Sequence, residues 1–246
     1  QQQTGVTTGT SNNLAGKATG SYTTQATYDP TYGVLTAQTT DGISISYDAL
    51  GASYTSGSYQ TVANIVDGYG TVKKSTTTGK SGRDIGGVAE KVLGNYSTVS
   101  TFGDDGQQQT GVTTGTSNNL AGKATGSYTT QATYDPTYGV LTAQTTDGVS
   151  ISYDSLGASY TSGSYHTVAD IVDGYGTVKK STTTGKSGRA IGTAGEKVLG
   201  NYVTISTFGD DGQQQTGVTT GTSNNLAGKA TGSYTTQATY DPTYGV

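Results

Sequence analysis

Polar and apolar positions alternate along much of this chain. Tyr22, Thr24, Ala26 and Tyr28 fall on one side of an extended backbone. The same pattern recurs at Tyr59, Thr61, Ala63 and Ile65, and again at Tyr96, Thr98, Ser100 and Phe102. A period of two in β-branched and aromatic residues predicts strands. Each stretch runs into turn-forming residues: Asp29-Pro30-Thr31-Tyr32-Gly33, Asp67-Gly68-Tyr69-Gly70 and Asp104-Asp105-Gly106. A second strand is predicted over 34–40 and a third over 43–47, with Asp41-Gly42 as a turn between them. Residues 84–93 fit strands poorly. Their apolar side chains have helical spacing behind a possible Asp84 cap, which admits a short helix, although Gly86 and Gly87 weaken it.

The alternation is itself periodic. Residues 1–106 recur as 107–212 with ten differences, and 213–246 repeat 1–34 without a change. Within a block, Gly20-Ser21-Tyr22, Gly57-Ser58-Tyr59 and Gly94-Asn95-Tyr96 stand 37 residues apart. This divides the first block into sub-units 20–56, 57–93 and 94–125. The second divides into 126–162, 163–199 and 200–231, and 213–246 opens a third block. The shorter third sub-unit loses residues between Ser117 and Ala121, which places a loop there.

Each sub-unit has too few large apolar side chains to hold itself folded, so neighbours must cover one another. The expected fold is all-β: a repetitive, stacked-rung β-solenoid or cross-β-like fibre built from units of about 35 residues. The alternative is a string of β-sandwich beads, one per 106-residue block. Stacking sets like above like. Tyr22, Tyr59 and Tyr96 then form an assembly ladder, as do Thr24, Thr61 and Thr98, with Tyr128, Tyr165 and Tyr202 as counterparts in the second block.

Composition narrows the function. Charged residues make up 12% of the chain, Gly 39 of 246 residues, and Tyr 19. Disordered chains are charge-rich and aromatic-poor, and this one is neither. Cys is absent, so there is no thiol nucleophile or thiolate metal site. The single His166 replaces Gln60 of the first block and reads as a surface substitution. Lys74–Ser81 ends like a phosphate-binding loop but lacks its first glycine and its strand-to-helix setting. Asp41-Gly42, Asp67-Gly68 and Asp105-Gly106 lack the carboxylate density of a calcium loop. Asn95-Tyr96-Ser97 is a glycosylation sequon lost at Val203. No catalytic, cofactor-binding or metal-binding residue is expected, and no cofactor. The net charge of -4 argues against nucleic acid, and the apolar runs are too short for a membrane span. Lys73, Lys74, Lys80 and Arg83 form a basic cluster, expected to meet acidic Asp29, Asp41, Asp48, Asp104 and Asp105 on neighbouring units or filaments.

In its Gly-Ser-Tyr-Thr-Thr and Thr-Gly-Val-Thr-Thr-Gly-Thr runs, and in its repetition, the chain resembles secreted tandem-repeat fibre and adhesive proteins. Sea cucumber Cuvierian-organ adhesives and barnacle cements are the type. The resemblance implies β-rich or amyloid-like assembly and assigns no residues. The expected function is an extracellular structural or adhesive fibre that is not an enzyme. Its expected partner is itself, in filaments and lateral bundles, with possible contact to a surface or glycan. The alternatives are the stalk of a microbial cell-surface adhesin and a Thr-rich ice- or glycan-binding β-solenoid.

Overall fold

The structure, a computed structural model, describes residues 1–13 and 16–240. The end of the partial third block, 241–246, lies outside the described residues. The chain divides into two compact units, Gln1–Ala124 and Thr125–Val246. The first unit holds β1 (Thr4–Asn12), β2 (Ala18–Tyr28), β3 (Leu35–Tyr47), β4 (Ser53–Val66), β5 (Val72–Arg83), β6 (Lys91–Phe102) and β7 (Gln108–Asn118). The second holds β8 (Ala124–Tyr134), β9 (Leu141–Tyr153), β10 (Ser159–Val172), β11 (Val178–Arg189), β12 (Lys197–Phe208), β13 (Gln214–Asn224) and β14 (Ala230–Thr239).

The fold is all-β and repetitive, as the alternation predicts. Within each unit every strand pairs antiparallel with the next one in sequence. This is a meander of hairpins. A 37-residue step therefore moves two strands along the sheet, from Tyr22 in β2 to Tyr59 in β4 and Tyr96 in β6. The repeating element is a two-strand hairpin, and tight turns replace the coil of a solenoid.

The turns account for the topology. Asp67 Oδ1 accepts hydrogen bonds from the backbone N–H groups of Tyr69 and Thr71, at 3.0 and 2.9 Å. Gly70 then takes φ +84°, a conformation that costs a side chain dearly, and its N–H donates to the Asp67 carbonyl. The same device closes 48–52, 119–123, 154–158 and 173–177. It includes the loop expected between Ser117 and Ala121. Such short loops leave adjacent antiparallel pairing as the only reach of the next strand.

Two local expectations are corrected. Residues 34–40 and 43–47 belong to one strand, β3, and Asp41-Gly42 is no turn. The pair sits mid-strand opposite Gln60 and Tyr59, where the ring of Tyr59 occupies the space a side chain at 42 would need. Residues 84–90 form turns, not a helix, and β6 begins at Lys91. Asp84 at φ +50° and Gly86 at φ +79° are incompatible with a right-handed helix. The loop folds back so that the Ile85 N–H donates to the Thr55 carbonyl, 3.0 Å away, and the Ile85 side chain is buried.

Among the described residues, the buried apolar side chains are only Ala26, Ile85, Ala132 and Ile191. Each unit is held chiefly by its hydrogen-bond ladder and by rows of side chains on the sheet faces.

Ala190 replaces Asp84 in the second block yet keeps φ +52°. Asp tolerates this left-handed conformation and Ala does not. Ala190→Gly is therefore expected to stabilise the chain by about 1 kcal/mol, and Asp84→Ala to destabilise it by a similar amount. Denaturant midpoints of the two variants check both signs.

Candidate functional surfaces

Register places like residues in rows across the sheet. One face of the first unit carries Gly9, Tyr22, Gly42, Tyr59, Gly79, Tyr96 and Gly115, each opposite the next. The second unit repeats the row with Tyr128, Gly148, Tyr165, Gly185, Tyr202, Gly221 and Tyr234. The tyrosines thus do not stack on one another. A glycine strand separates each pair, and the tyrosines recur about every 9.6 Å. The reason is steric. A Cβ at Gly42 or Gly79 would lie 2.3 Å from ring atoms of Tyr59 or Tyr96. The rings of Tyr22, Tyr59, Tyr96, Tyr165, Tyr202 and Tyr234 each lie over the bare backbone of the preceding strand and shield its hydrogen bonds. Burial raises the pKa of the Tyr202 phenol above its ordinary value of 10.0, with Tyr165 and Tyr234 adding to the effect.

Two residues along the strands on the same face runs an unbroken threonine row: Thr7, Thr24, Thr40, Thr61, Thr77, Thr98 and Thr113. Its hydroxyls bond in pairs, Thr24 to Thr40, Thr61 to Thr77 and Thr98 to Thr113, each at 2.8 Å. Here like does neighbour like, on every strand.

The opposite face is more open and more polar. A shallow groove of about 630 Å³ crosses β2 to β6 between two rows, its sides formed by residues such as Thr23, Asp41, Gln60, Lys80 and Asn95. Gln60 Nε2 donates to Asp41 Oδ1 at 2.8 Å across the strands. The second unit has a matching groove of about 610 Å³. There His166 Nδ1 stands 2.7 Å from Asp147 Oδ1, so the ring takes over the bond of the amide it replaces.

Turns after even-numbered strands gather at one end of each unit's strands, and turns after odd-numbered strands at the other. The first end presents Tyr32 and Tyr69 in one unit and Tyr138 and Tyr175 in the other, all well exposed. The second end presents Leu50, Val88 and Leu120, then Leu156 and Leu226. The alternation that locates strands says nothing about this two-ended character. Its signal lies in the turns, where Tyr follows Asp in some and Leu or Val precedes Gly or Ala in others.

The predicted basic cluster is divided. Lys73 and Lys74 open β5, and Lys80 and Arg83 close it, so the two pairs lie some 20 Å apart or more. Lys73 of sub-unit 57–93 bonds Asp104 of sub-unit 94–125, and within 57–93 Lys80 Nζ lies 3.2 Å from Glu90. The Lys73 ammonium holds the Asp104 carboxyl below its usual pKa, first by hydrogen bonding and then by charge. The Lys74–Ser81 run is extended strand within β5. Among the described residues, no three His, Cys, Asp or Glu side chains gather as metal ligands. Among the described residues, no helix is long and apolar enough to cross a membrane.

Gly79→Ala must displace the Tyr96 ring and is expected to cost about 1–3 kcal/mol. Gly68→Ala, with nothing within 4 Å of the new carbon, is the near-neutral control, and denaturant titration separates them. The raised pKa of Tyr202 favours its neutral form in the folded chain. Its contribution to stability is full below pH 10.0 and falls as pH rises through the raised value. Stability measured from pH 9 to 12 should therefore fall less steeply in Tyr202→Phe than in the parent chain. No protein-family model matches the chain, and no curated protein matches it.

Proposed function

We propose that this chain is part of an extracellular structural or adhesive fibre that assembles with copies of itself through its repeated hairpins. The observation that carries the reading is the continuity of the threonine and tyrosine–glycine rows. Every strand of a unit carries the threonine row, and tyrosine strands alternate with glycine strands, so any tyrosine strand fits against any glycine strand. Adding hairpins extends such a sheet without altering any existing contact. The exposed leucines and tyrosines at the two ends add apolar and phenolic groups suited to holding a surface. Low charge and near-identical blocks fit a material that works by repetition.

Oriented assemblies of the protein are expected to diffract at about 4.8 Å along the direction in which strands are added. A chain that stays monomeric at every concentration and gives no such reflection would remove this reading. A second role, contact with glycans, is favoured by the polar groove on the open face. Retention on a polysaccharide column that is lost in Asp41→Ala with Asp147→Ala would support it, and equal retention of the variant would end it.

A further inference from the structure

Two sets of tyrosines, those of the glycine row and those of the turns, differ in their surroundings. Those of the glycine row are held over the preceding strand and partly shielded. Those of the turns, Tyr32, Tyr69, Tyr138 and Tyr175, are 75–91% exposed. All four occupy turns after even-numbered strands, so each unit carries two at the same end of its strands, one hairpin apart. Their backbones are fixed. The N–H groups of Tyr32, Tyr69, Tyr138 and Tyr175 donate to Asp29, Asp67, Asp135 and Asp173, at 2.7, 3.0, 2.8 and 2.9 Å. Rigid turns thus hold the phenols out into solvent.

Composition gives these phenols a distinct chemical standing. The chain has no Cys, Met or Trp. Tyrosine is the one side chain here that a mild one-electron oxidant attacks readily, and no disulfide can join two copies. We propose that the turn tyrosines are sites of oxidative cross-linking, joining the tyrosine-bearing ends of separate copies through dityrosine.

The step balances with a peroxide-consuming haem peroxidase as oxidant. Each of two phenols gives up one electron and one proton, leaving two phenoxyl radicals. These join through a carbon–carbon bond ortho to the oxygens. The two ring hydrogens at the joined carbons then move to the oxygens and restore both phenols. The two hydrogen atoms removed reduce one hydrogen peroxide to two waters.

Row tyrosines are poorer partners, because these rings lie with an ortho carbon against a neighbouring glycine, and the most exposed of them, Tyr22 and Tyr234, reach only 41% and 46%. Turn tyrosines meet no such barrier. The inference does not depend on the fibre reading, since coupling is measured on dissolved chains, and either can fail alone.

The test treats the soluble full chain with horseradish peroxidase and hydrogen peroxide. Covalent dimers with dityrosine fluorescence are expected, and peptide mapping should find the bond at residues 32, 69, 138 and 175. Replacing all four with Phe should reduce dimer yield at least fivefold, with the circular dichroism spectrum unchanged. Replacing Tyr22, Tyr59, Tyr128 and Tyr165 with Phe, which keeps the rings, should leave the yield within twofold. Undiminished dimers in the turn variant, or bonds mapped mainly to tyrosines other than these four, would overturn the proposal. So would bonds confined within single chains.

Discussion

Tyrosine laid over glycine on the preceding strand is the contact on which the rest of this structure depends. A sheet with almost no buried apolar side chains has little else to fix its register. A slip of one residue would turn each ring to the other face, and a slip of two would set Tyr59 against Ser44 or Thr40. At the correct register the ring covers bare backbone, keeps water from the hydrogen bonds beneath it, and brings the threonine hydroxyls into pairing distance. Aromatic cover of a strand glycine is a recognised device for stabilising sheets. Here it recurs on every second strand.

The tyrosine–glycine row also explains which parts of the fold are legible in the sequence. Alternation over 22–28, 59–65 and 96–102 gives the even-numbered strands directly, because each combines aromatic and β-branched residues on one face. The odd-numbered strands are harder. Gly42 and Gly79 sit at their centres, and glycine in sequence reads as a break or turn. That is why β3 looks like two short strands when Asp41-Gly42 is considered alone. Only the pairing reveals that the missing side chain makes room for a ring from the next strand. The turns at Asp29, Asp67 and Asp104 are plain from local chemistry. The loop at 84–90 is not, since Ile85, Val88 and Val92 mimic helical spacing while backbone dihedrals rule the helix out.

The candidate surfaces show the same division. Tyr22, Tyr59 and Tyr96 can be recognised as equivalent from their 37-residue spacing, and so can Thr24, Thr61 and Thr98. What the spacing hides is that one set neighbours its own kind and the other does not. The threonines run on through the odd strands at Thr40 and Thr77, whereas the tyrosines alternate with glycine. Charge misleads in a different way. Four basic residues within eleven positions look like one patch, but an extended strand carries them to opposite ends, where Lys73 meets Asp104 and Lys80 meets Glu90.

The meander has a mechanical consequence. Its strands lie across the line joining the first and last strands of a unit, so a pull on those two strands loads the hydrogen bonds of one strand pair at a time. The sheet then opens like a zip rather than shearing all at once. A hairpin of 37 residues occupies about 9.6 Å of sheet width and extends to about 120–130 Å when drawn out. Each hairpin therefore lengthens more than tenfold under modest force, and short turns allow it to re-form when the load is removed. Single-molecule stretching would record this as a long, low plateau instead of one high rupture peak. Work absorbed in that manner is toughness, and it arises from the order of the strands rather than from the strength of any one contact.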